Sequence, residues 1–256
     1  MTDTHTHIYM PEFESGGDEA FQRALSAGVG MMVLPNVDID SLELVRDFHS
    51  RHPENTRTAF GLHPTSVDSS WRDMLSRILP CLDEPGCVAV GEVGIDLYWD
   101  KSFRREQMEA FAFQIDEAAR RGLPVIIHCR EALDETLQVV SGFGSGLPRL
   151  LFHSFTGSRD DASRILDIIP DAMFGINGVA TFKNAKDLHE AIPFIGSGHI
   201  LLETDSPYLA PVPYRGKRNE SAYVVNVCVR VAELLGIDPG EMESVTDKNA
   251  RAFFNI

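Results

Sequence analysis

The chain alternates eight times between a short apolar or β-branched run and a longer amphipathic stretch. The short runs begin at "TDTHTHI", "GMMVLP", "TRTAFGL", "CVAVGEVGI", "LPVIIHC", "PRLLFHS", "AMFGI" and "HILLETD". The longer stretches predict helices at 18–27, 39–50, 70–82, 101–121, 131–141, 158–168, 185–195 and 221–235, and a further short helix near 239–253. This order predicts an α/β fold, a single (β/α)8 TIM barrel domain over residues 1–256, with an open doubly wound sheet as the alternative.

The helix over 101–121 has the clearest pattern, because Phe111, Ile115 and Ala118 recur on one face and charged residues fill the other. Gly122 is expected to end it. Ser158, followed by two aspartates, predicts the start of another helix.

Composition and charge restrict the binding partners and the cellular location that we expect for the protein. Its 23 Lys and Arg against 38 Asp and Glu give a net charge of −15, which opposes long-range attraction to nucleic acid or anionic membrane. No apolar run approaches the ~18 residues that a transmembrane helix needs, and the amino terminus lacks a secretory signal, so we expect a cytoplasmic protein. The four cysteines form no CxxC pair and are expected to be reduced, buried thiols.

The first predicted strand carries two histidines, His5 and His7, one residue apart. Alternate side chains of a strand share a face, so the two imidazoles are expected to point at one place. Such a pair alone is weak evidence for a metal, since core or surface histidines explain most of them.

Other predicted strands end in residues that can bind a metal. In a (β/α)8 barrel the carboxyl ends of the strands meet at one opening, the mouth of the barrel. The residues expected to meet there are His5, His7, Glu92, His128, His153 and Asp205. Each could singly be a core histidine or a helix cap, but together they predict two divalent ions with Glu92 between them.

Two more residues at strand ends are candidates for the reaction. Glu203 stands two before Asp205 and hence on the same face, where it would support a ligand or the attacking water, or act as a structural hydrogen-bond acceptor. His63, in "GLHP", would orient a phosphate oxygen or that water, or cap the strand end.

The sequence resembles the TatD family of metal-dependent deoxyribonucleases, within the amidohydrolase-like barrels. The resemblance rests on "DTHTH", "GLHP", "VGEVGIDLYWD", "QMEAFAFQIDEAARRGLPVIIHCREA", "FHSFTGS" and "LLETDSPYLAPVPYRGKRNESAYV", and it runs to the closing "NARAFF". It implies a two-metal site formed by the six residues above. It also implies hydrolysis of phosphodiesters, usually as a nuclease on DNA, here most simply an exonuclease.

On this basis Asp205 would bind one ion and accept the proton of a water activated by the ions. Arg130, just after the fifth strand, and Arg215, Lys217 and Arg218, after the eighth, are candidate contacts for the phosphates of DNA or an oligonucleotide. The ions could be Mg²⁺, Mn²⁺ or Zn²⁺. Nothing in the sequence implies a membrane or an obligate protein partner.

Two alternatives stay open at this point. The same centre could cleave an amide or ester, for example as a deacylase acting on aminoacyl-tRNA. A barrel of this kind could also serve as a weakly catalytic, metal-binding interaction module. Turnover of phosphodiesters compared with amides and esters separates the first alternative, and a His128→Ala variant separates the second.

Overall fold

A computed structural model describes residues 1–256, apart from the side chain of Glu14. Eight strands pair in parallel and in chain order, each with its sequence neighbours. The strands are β1 (Thr2–Asp3), β2 (Met31–Pro35), β3 (Thr56–Phe60), β4 (Cys87–Asp96), β5 (Val125–Arg130), β6 (Leu150–Phe152), β7 (Met173–Ile176) and β8 (Ile200–Leu202). The Thr4 N–H donates to the Leu202 carbonyl over 3.0 Å, joining the last strand to the first, and the predicted (β/α)8 barrel is thereby confirmed.

The helices surround this barrel close to the predicted positions. They are α1 (Asp18–Ser26), α2 (Leu42–Arg51), α3 (Trp71–Ile78), α4 (Arg104–Arg121), α5 (Leu133–Ser141), α6 (Arg159–Ile168), α7 (Lys186–Ile195), α8 (Val224–Leu235) and α9 (Pro239–Phe254). Within the described chain, each of them is too short or too polar to span a lipid bilayer.

Local chemistry explains where the helices begin and end. Ser158 and Asp161 form a reciprocal capping box at the start of α6, and Gly122 ends α4 in the left-handed conformation with φ 67°. The helix predicted over 70–82 is α-helical only to Ile78 and continues as a 3-10 turn, because Pro80 has no N–H for an α-helical hydrogen bond.

The regular part of the first strand is shorter than predicted, since β1 covers only two residues. Beyond Asp3 the segment stays bonded to both of its neighbours. The Thr6 N–H donates to the Val33 carbonyl over 3.1 Å, and the His7 N–H donates to the Ser206 carbonyl over 2.8 Å. His5 and His7 are therefore held in the barrel wall, although they lie outside the regular ladder.

Two apolar clusters fill the fold. The larger lies between the strands and the helices and includes Phe111 and Ile115. The smaller contains side chains from the opposite face of the strands, such as Ile126 and Leu201, together with Phe253 of α9. Because side chains alternate along a strand, this smaller cluster is the barrel interior, and the next residues on its face are those at the mouth.

A register shift in β4 decides which of its residues face inward. Val90 pairs with Val125 and Val93 pairs with Ile127, so three residues of β4 are set against two of β5. An extra residue of this kind moves the following side chains to the other face. Ala89 lies in the interior cluster before the shift, and Glu92 lies inward after it.

Candidate metal centre

The strand period places a polar residue two positions beyond an interior apolar one on several strands. These pairs are Ile126 and His128, Leu151 and His153, and Leu201 and Glu203, and on the third strand His63 stands four positions beyond the interior residue Ala59. The barrel interior is thus apolar at one end and polar at the mouth, because all of these strands run in the same direction.

Ligand atoms from distant parts of the chain meet at this mouth. Three overlapping groups each hold their imidazole and carboxylate atoms within 4.8 Å of one another. The groups are His5, His153 and Asp205; His5, His7 and Glu92; and His63, Glu92 and His128. All six residues predicted as ligands therefore lie together, and His63 lies with them.

Glu92 occupies the middle of the centre. Its Oε2 lies 3.3 Å from His5 Nε2, and its Oε1 lies 2.8 Å from His128 Nδ1 and 3.5 Å from His153 Nε2. Its side chain is almost fully buried. One carboxylate thus faces imidazoles on both of its oxygens.

Two histidines are oriented by a carboxylate behind the ring. Nε2 of His128 is 2.8 Å from Asp96 Oδ2, which leaves Nδ1 toward the centre. Nδ1 of His153 is 3.0 Å from Glu203 Oε1, which leaves Nε2 toward the centre. The hydrogen bond to Asp96 fixes the proton of His128 on Nε2, so its inward nitrogen presents a lone pair, as in metal-binding histidines. The contact of His153 Nδ1 with Glu203 is a close charge contact outside hydrogen-bond geometry.

His7 and His63 differ in what lies behind the ring. Nδ1 of His7 is 3.2 Å from the Pro35 carbonyl and 3.0 Å from the Tyr9 hydroxyl, so it can donate and leave a lone pair on Nε2. Nδ1 of His63 instead accepts the Thr65 N–H over 3.2 Å. The proton of a neutral His63 is then on Nε2, which points inward as a donor.

Contacts between carboxylates and imidazoles in the centre stabilise the charged form of each group. Burial alone would raise the pKa of Glu92, but the imidazoles of His153, His63 and His5 lower it well below its usual value. Burial alone would lower the pKa of His128, but its contacts with Asp96 and Glu92 raise it to about 9. Binding of a cation by these ligands is therefore coupled to release of protons.

Burial has the largest effect on the pKa of His5 and of His63, which lack a carboxylate behind the ring. It lowers the pKa of His5 and of His63, and the charge of His153 lowers that of His5 further. Both rings are neutral near pH 7. Nδ1 of His5 is buried without a hydrogen-bond partner among the described residues.

Asp205 and Glu203 enter from the chain after β8. Asp205 has φ 56°, and its Oδ1 lies 3.6 Å from His7 Nε2 and 3.9 Å from His153 Nε2. Burial acts to raise its pKa, yet the nearby imidazoles of His7 and His153 lower it, so the carboxylate is ionised. Glu203 is fully buried and accepts the Ser154 N–H over 2.7 Å.

The four predicted phosphate contacts are exposed side chains, and three lie on aromatic rings. The Arg130 guanidinium is 3.8 Å from the ring centre of Tyr98. The Arg215 guanidinium lies 4.3 Å above Phe182, and that of Arg218 lies 4.7 Å above Phe13. Lys217 is exposed in the same loop as Arg215 and Arg218.

Asp96, which lies behind the His128 ring, is a residue that sequence reasoning missed. It stands four positions after Glu92 in "GEVGID", so both share a face of β4 beyond the register shift. That spacing was the available signal. Its role depends on contact with His128 of the next strand, which spacing alone does not reveal.

The donor set fits divalent cations. Four histidines whose inward nitrogens are free to coordinate, together with Glu92 and Asp205, give the mixture of imidazole and carboxylate that borderline divalent ions prefer. A close cluster of imidazole nitrogens, with His5 Nε2 only 3.2 Å from His7 Nε2, is a natural place for a shared cation.

Known proteins resemble the chain over its full length. A profile of the family described as "TatD related DNase" matches residues 2–255. An uncharacterized metal-dependent hydrolase, YabD, from Bacillus subtilis is 33% identical over 260 residues, which cover 100% of this chain and 99% of that protein. The 3'-5' ssDNA/RNA exonuclease TatD of Salmonella typhimurium is 33% identical over 262 residues, which cover 100% and 99%.

The solved structures agree with the sequence comparison. The crystal structure of YJJV, a TatD homolog from Escherichia coli, superposes with a TM-score of 0.91 at 27% identity, covering 100% of this chain and 98% of that one. A TatD family hydrolase from Entamoeba histolytica shares the fold, with a TM-score of 0.84 at 16% identity over 99% of this chain and 97% of that one. The chain therefore belongs to the family of TatD-related DNases, and it is a metal-dependent hydrolase.

Proposed function

We propose that this protein is a divalent-metal-dependent exonuclease that hydrolyses phosphodiester bonds of single-stranded DNA or RNA. The observation that carries the proposal is the position of Glu92, which belongs to two groups of ligand atoms at once. The name of the Salmonella relative, a 3'-5' ssDNA/RNA exonuclease, supports the choice of substrate and direction.

In this proposal the ligands of two ions are His5, His7, Glu92, His128, His153 and Asp205, with Glu92 shared between the ions. Mg²⁺, Mn²⁺ and Zn²⁺ all suit such ligands. When bound there, the ions supply Lewis-acid activation of water and of the phosphoryl oxygens. Side chains of the protein would accept the proton, donate hydrogen bonds and orient the ligands.

Asp205 is the proposed proton acceptor, because its carboxylate is ionised and lies at the open side of the centre. His63 is the proposed hydrogen-bond donor to a phosphoryl oxygen or to the attacking water, since its inward Nε2 carries the proton. Glu203 acts behind His153 by holding that ring and its tautomer.

The exposed cations are the proposed phosphate contacts. Arg130 lies two residues beyond His128, and the loop after β8 supplies Arg215, Lys217 and Arg218. Aromatic rings under the three guanidinium groups restrict their motion and leave their N–H groups able to meet phosphate. These local cations offset the acidic charge of the whole chain.

The test combines elemental analysis with digestion of 5'-labelled single-stranded oligonucleotides in Mg²⁺ or Mn²⁺. We expect two equivalents of metal per chain and products that shorten one nucleotide at a time from the 3' end. A Glu92→Gln variant keeps the shape but loses the charge, so its metal content and its rate should both fall. Phe194→Ala, in the outer helix α7, is the control.

The same preparation should be offered an amide and a carboxylic ester. Hydrolysis of either without cleavage of any phosphodiester would replace the nuclease proposal with an acyl hydrolase. Wild-type rates in the Glu92→Gln variant would show that the centre is not catalytic.

A further inference from the structure

Two adjacent aromatic side chains lie exposed beside the metal centre. Tyr98 and Trp99 follow β4, with 48% and 70% of their surfaces accessible. Their ring centres are 4.8 Å apart and their planes are nearly perpendicular. Trp99 is the most exposed of the large apolar side chains in the described part of the chain, and burial of core surface does not explain it.

A single carboxylate ties this pair to the centre. Oδ1 of Asp96 accepts the Tyr98 N–H over 2.9 Å and the Trp99 N–H over 3.3 Å. Oδ2 of the same carboxylate lies 2.8 Å from Nε2 of His128. The turn that presents the two rings is thus connected to His128, a proposed metal ligand, through the carboxylate of Asp96.

Arg130 makes a second connection between the rings and the centre. It lies two residues beyond His128, and its guanidinium is 3.8 Å from the Tyr98 ring centre but 5.4 Å from that of Trp99. Arg130 therefore covers Tyr98 more closely and leaves Trp99 more open. Trp99 follows Asp96 by three residues, so their Cα atoms are at most about 10 Å apart. That distance corresponds to one or two nucleotides of a bound strand.

We propose that Trp99, held by Tyr98 and Arg130, is a stacking subsite for an unpaired nucleobase next to the scissile phosphodiester. The inference rests on the proposed nuclease function and adds the element that recognises the base. Aromatic faces bind bases of single strands with little sequence preference, and arginine adds a contact to phosphate or base. With a net charge of −15, the chain needs such a short-range attraction for a polyanion.

The experiment compares single-stranded oligothymidylate with a strand of equal length that has abasic residues near its 3' end. For wild-type protein we expect the abasic strand to raise KM about tenfold. Trp99→Ala should raise KM for the normal strand by a similar factor and show no further abasic penalty. Trp99→Phe should retain most of the affinity, and Phe194→Ala, which removes another ring that contacts an arginine, should match wild type.

Fluorescence gives a reading of the subsite that does not need cleavage. The chain has two tryptophans, and Trp71 is buried, so quenching by a phosphorothioate single strand reports on Trp99. Quenching by single strands but not by duplex or abasic strands supports the subsite. Equal KM values for Trp99→Ala and wild type, or an undiminished abasic penalty in the variant, would overturn it. If wild type cleaves no oligonucleotide, the nuclease proposal fails, and the quenching alone decides the subsite.

Discussion

The carboxylate of Asp96 lies 2.8 Å from Nε2 of His128, on the side of the ring that faces away from Glu92. Asp96 is buried, and the contact with His128 helps to lower the pKa of its carboxyl despite the opposing effect of burial. An ionised acceptor behind the ring keeps the imidazole proton on Nε2 and the lone pair on Nδ1. Asp96 therefore holds His128 in the form that the proposed metal site requires, while Asp96 itself lies outside the three groups of candidate ligand atoms.

Replacing Asp96 with asparagine should reverse this preparation. The amide oxygen can still accept the Tyr98 N–H, but the NH2 group would donate to Nε2 and favour the proton on Nδ1, the nitrogen that is proposed to bind the metal. We expect metal affinity or activity to fall by about 10- to 100-fold. Asp100→Asn is the control, because the Asp100 carboxylate in the same loop bonds the Ser102 N–H. Equal losses in both variants would contradict the role of Asp96.

His63 should be separable from the ligands by experiment. Because its Nδ1 accepts the Thr65 N–H, its inward nitrogen donates, and His63→Ala should keep the full metal content while kcat falls by about 100-fold or more. His128→Ala should lose metal as well as activity. Elemental analysis and single-turnover kinetics on the two variants give the comparison. Loss of one metal equivalent from His63→Ala would instead make His63 a ligand.

Gly175, which has no side chain, leaves space for the carboxylate of Glu203. A methyl group on Gly175 would lie 2.2 Å from Glu203 Oε2, and Glu203 is fully buried. Gly175→Ala should cost about 1–3 kcal/mol of unfolding free energy, or roughly 2–4 °C in Tm per kcal/mol, and displace the carboxylate that holds His153. Calorimetry and metal titration measure both effects. Gly198→Ala, where the added methyl meets nothing within 4 Å, should leave both unchanged.

Much of the fold could be predicted from the sequence because its cause is local. The alternation of apolar and amphipathic runs indicated eight strands and their helices, and the period of two placed His5 with His7, whose Nε2 atoms are 3.2 Å apart. Glu203, expected on the face of Asp205, lies behind the His153 ring, with its Oε1 3.0 Å from Nδ1. The six proposed ligands could be found because parallel strands end together. These features depend on spacing along the chain, which the sequence contains.

The features that escaped prediction depend on contacts between strands. The register shift in β4 is a property of its pairing with β5, and it sets the inward faces of Glu92 and Asp96. The proton position on His63 depends on the Thr65 backbone N–H, whereas that on His7 depends on the Pro35 carbonyl. The two histidines thus have different proposed roles because different backbone groups lie behind their rings, and only folding brings those groups close.

Removal of metal should lower stability without unfolding the barrel. The core lies in two apolar clusters that do not depend on the centre, so the circular dichroism spectrum should persist after chelation. Metal present at 100 times its Kd adds about 2.7 kcal/mol, which corresponds to roughly 5–10 °C in Tm for a chain of this size. Differential scanning calorimetry with and without a chelator measures the shift. Unfolding at room temperature on chelation would contradict the prediction.

The thiols should react slowly, although the expected burial is met only by Cys81 and Cys228, and Cys87 and Cys129 are half-buried. Burial raises the pKa of Cys87 to about 12 and those of Cys129 and Cys228 to about 11, and it raises that of Cys81 as well. A thiol with a raised pKa stays protonated at pH 8, and the protonated form is a poor nucleophile. A disulfide reagent at pH 8 should therefore titrate the native protein far more slowly than free cysteine, and four thiols should react at once in urea. A native thiol that reacts as fast as free cysteine would show that at least one of these sites opens to solvent.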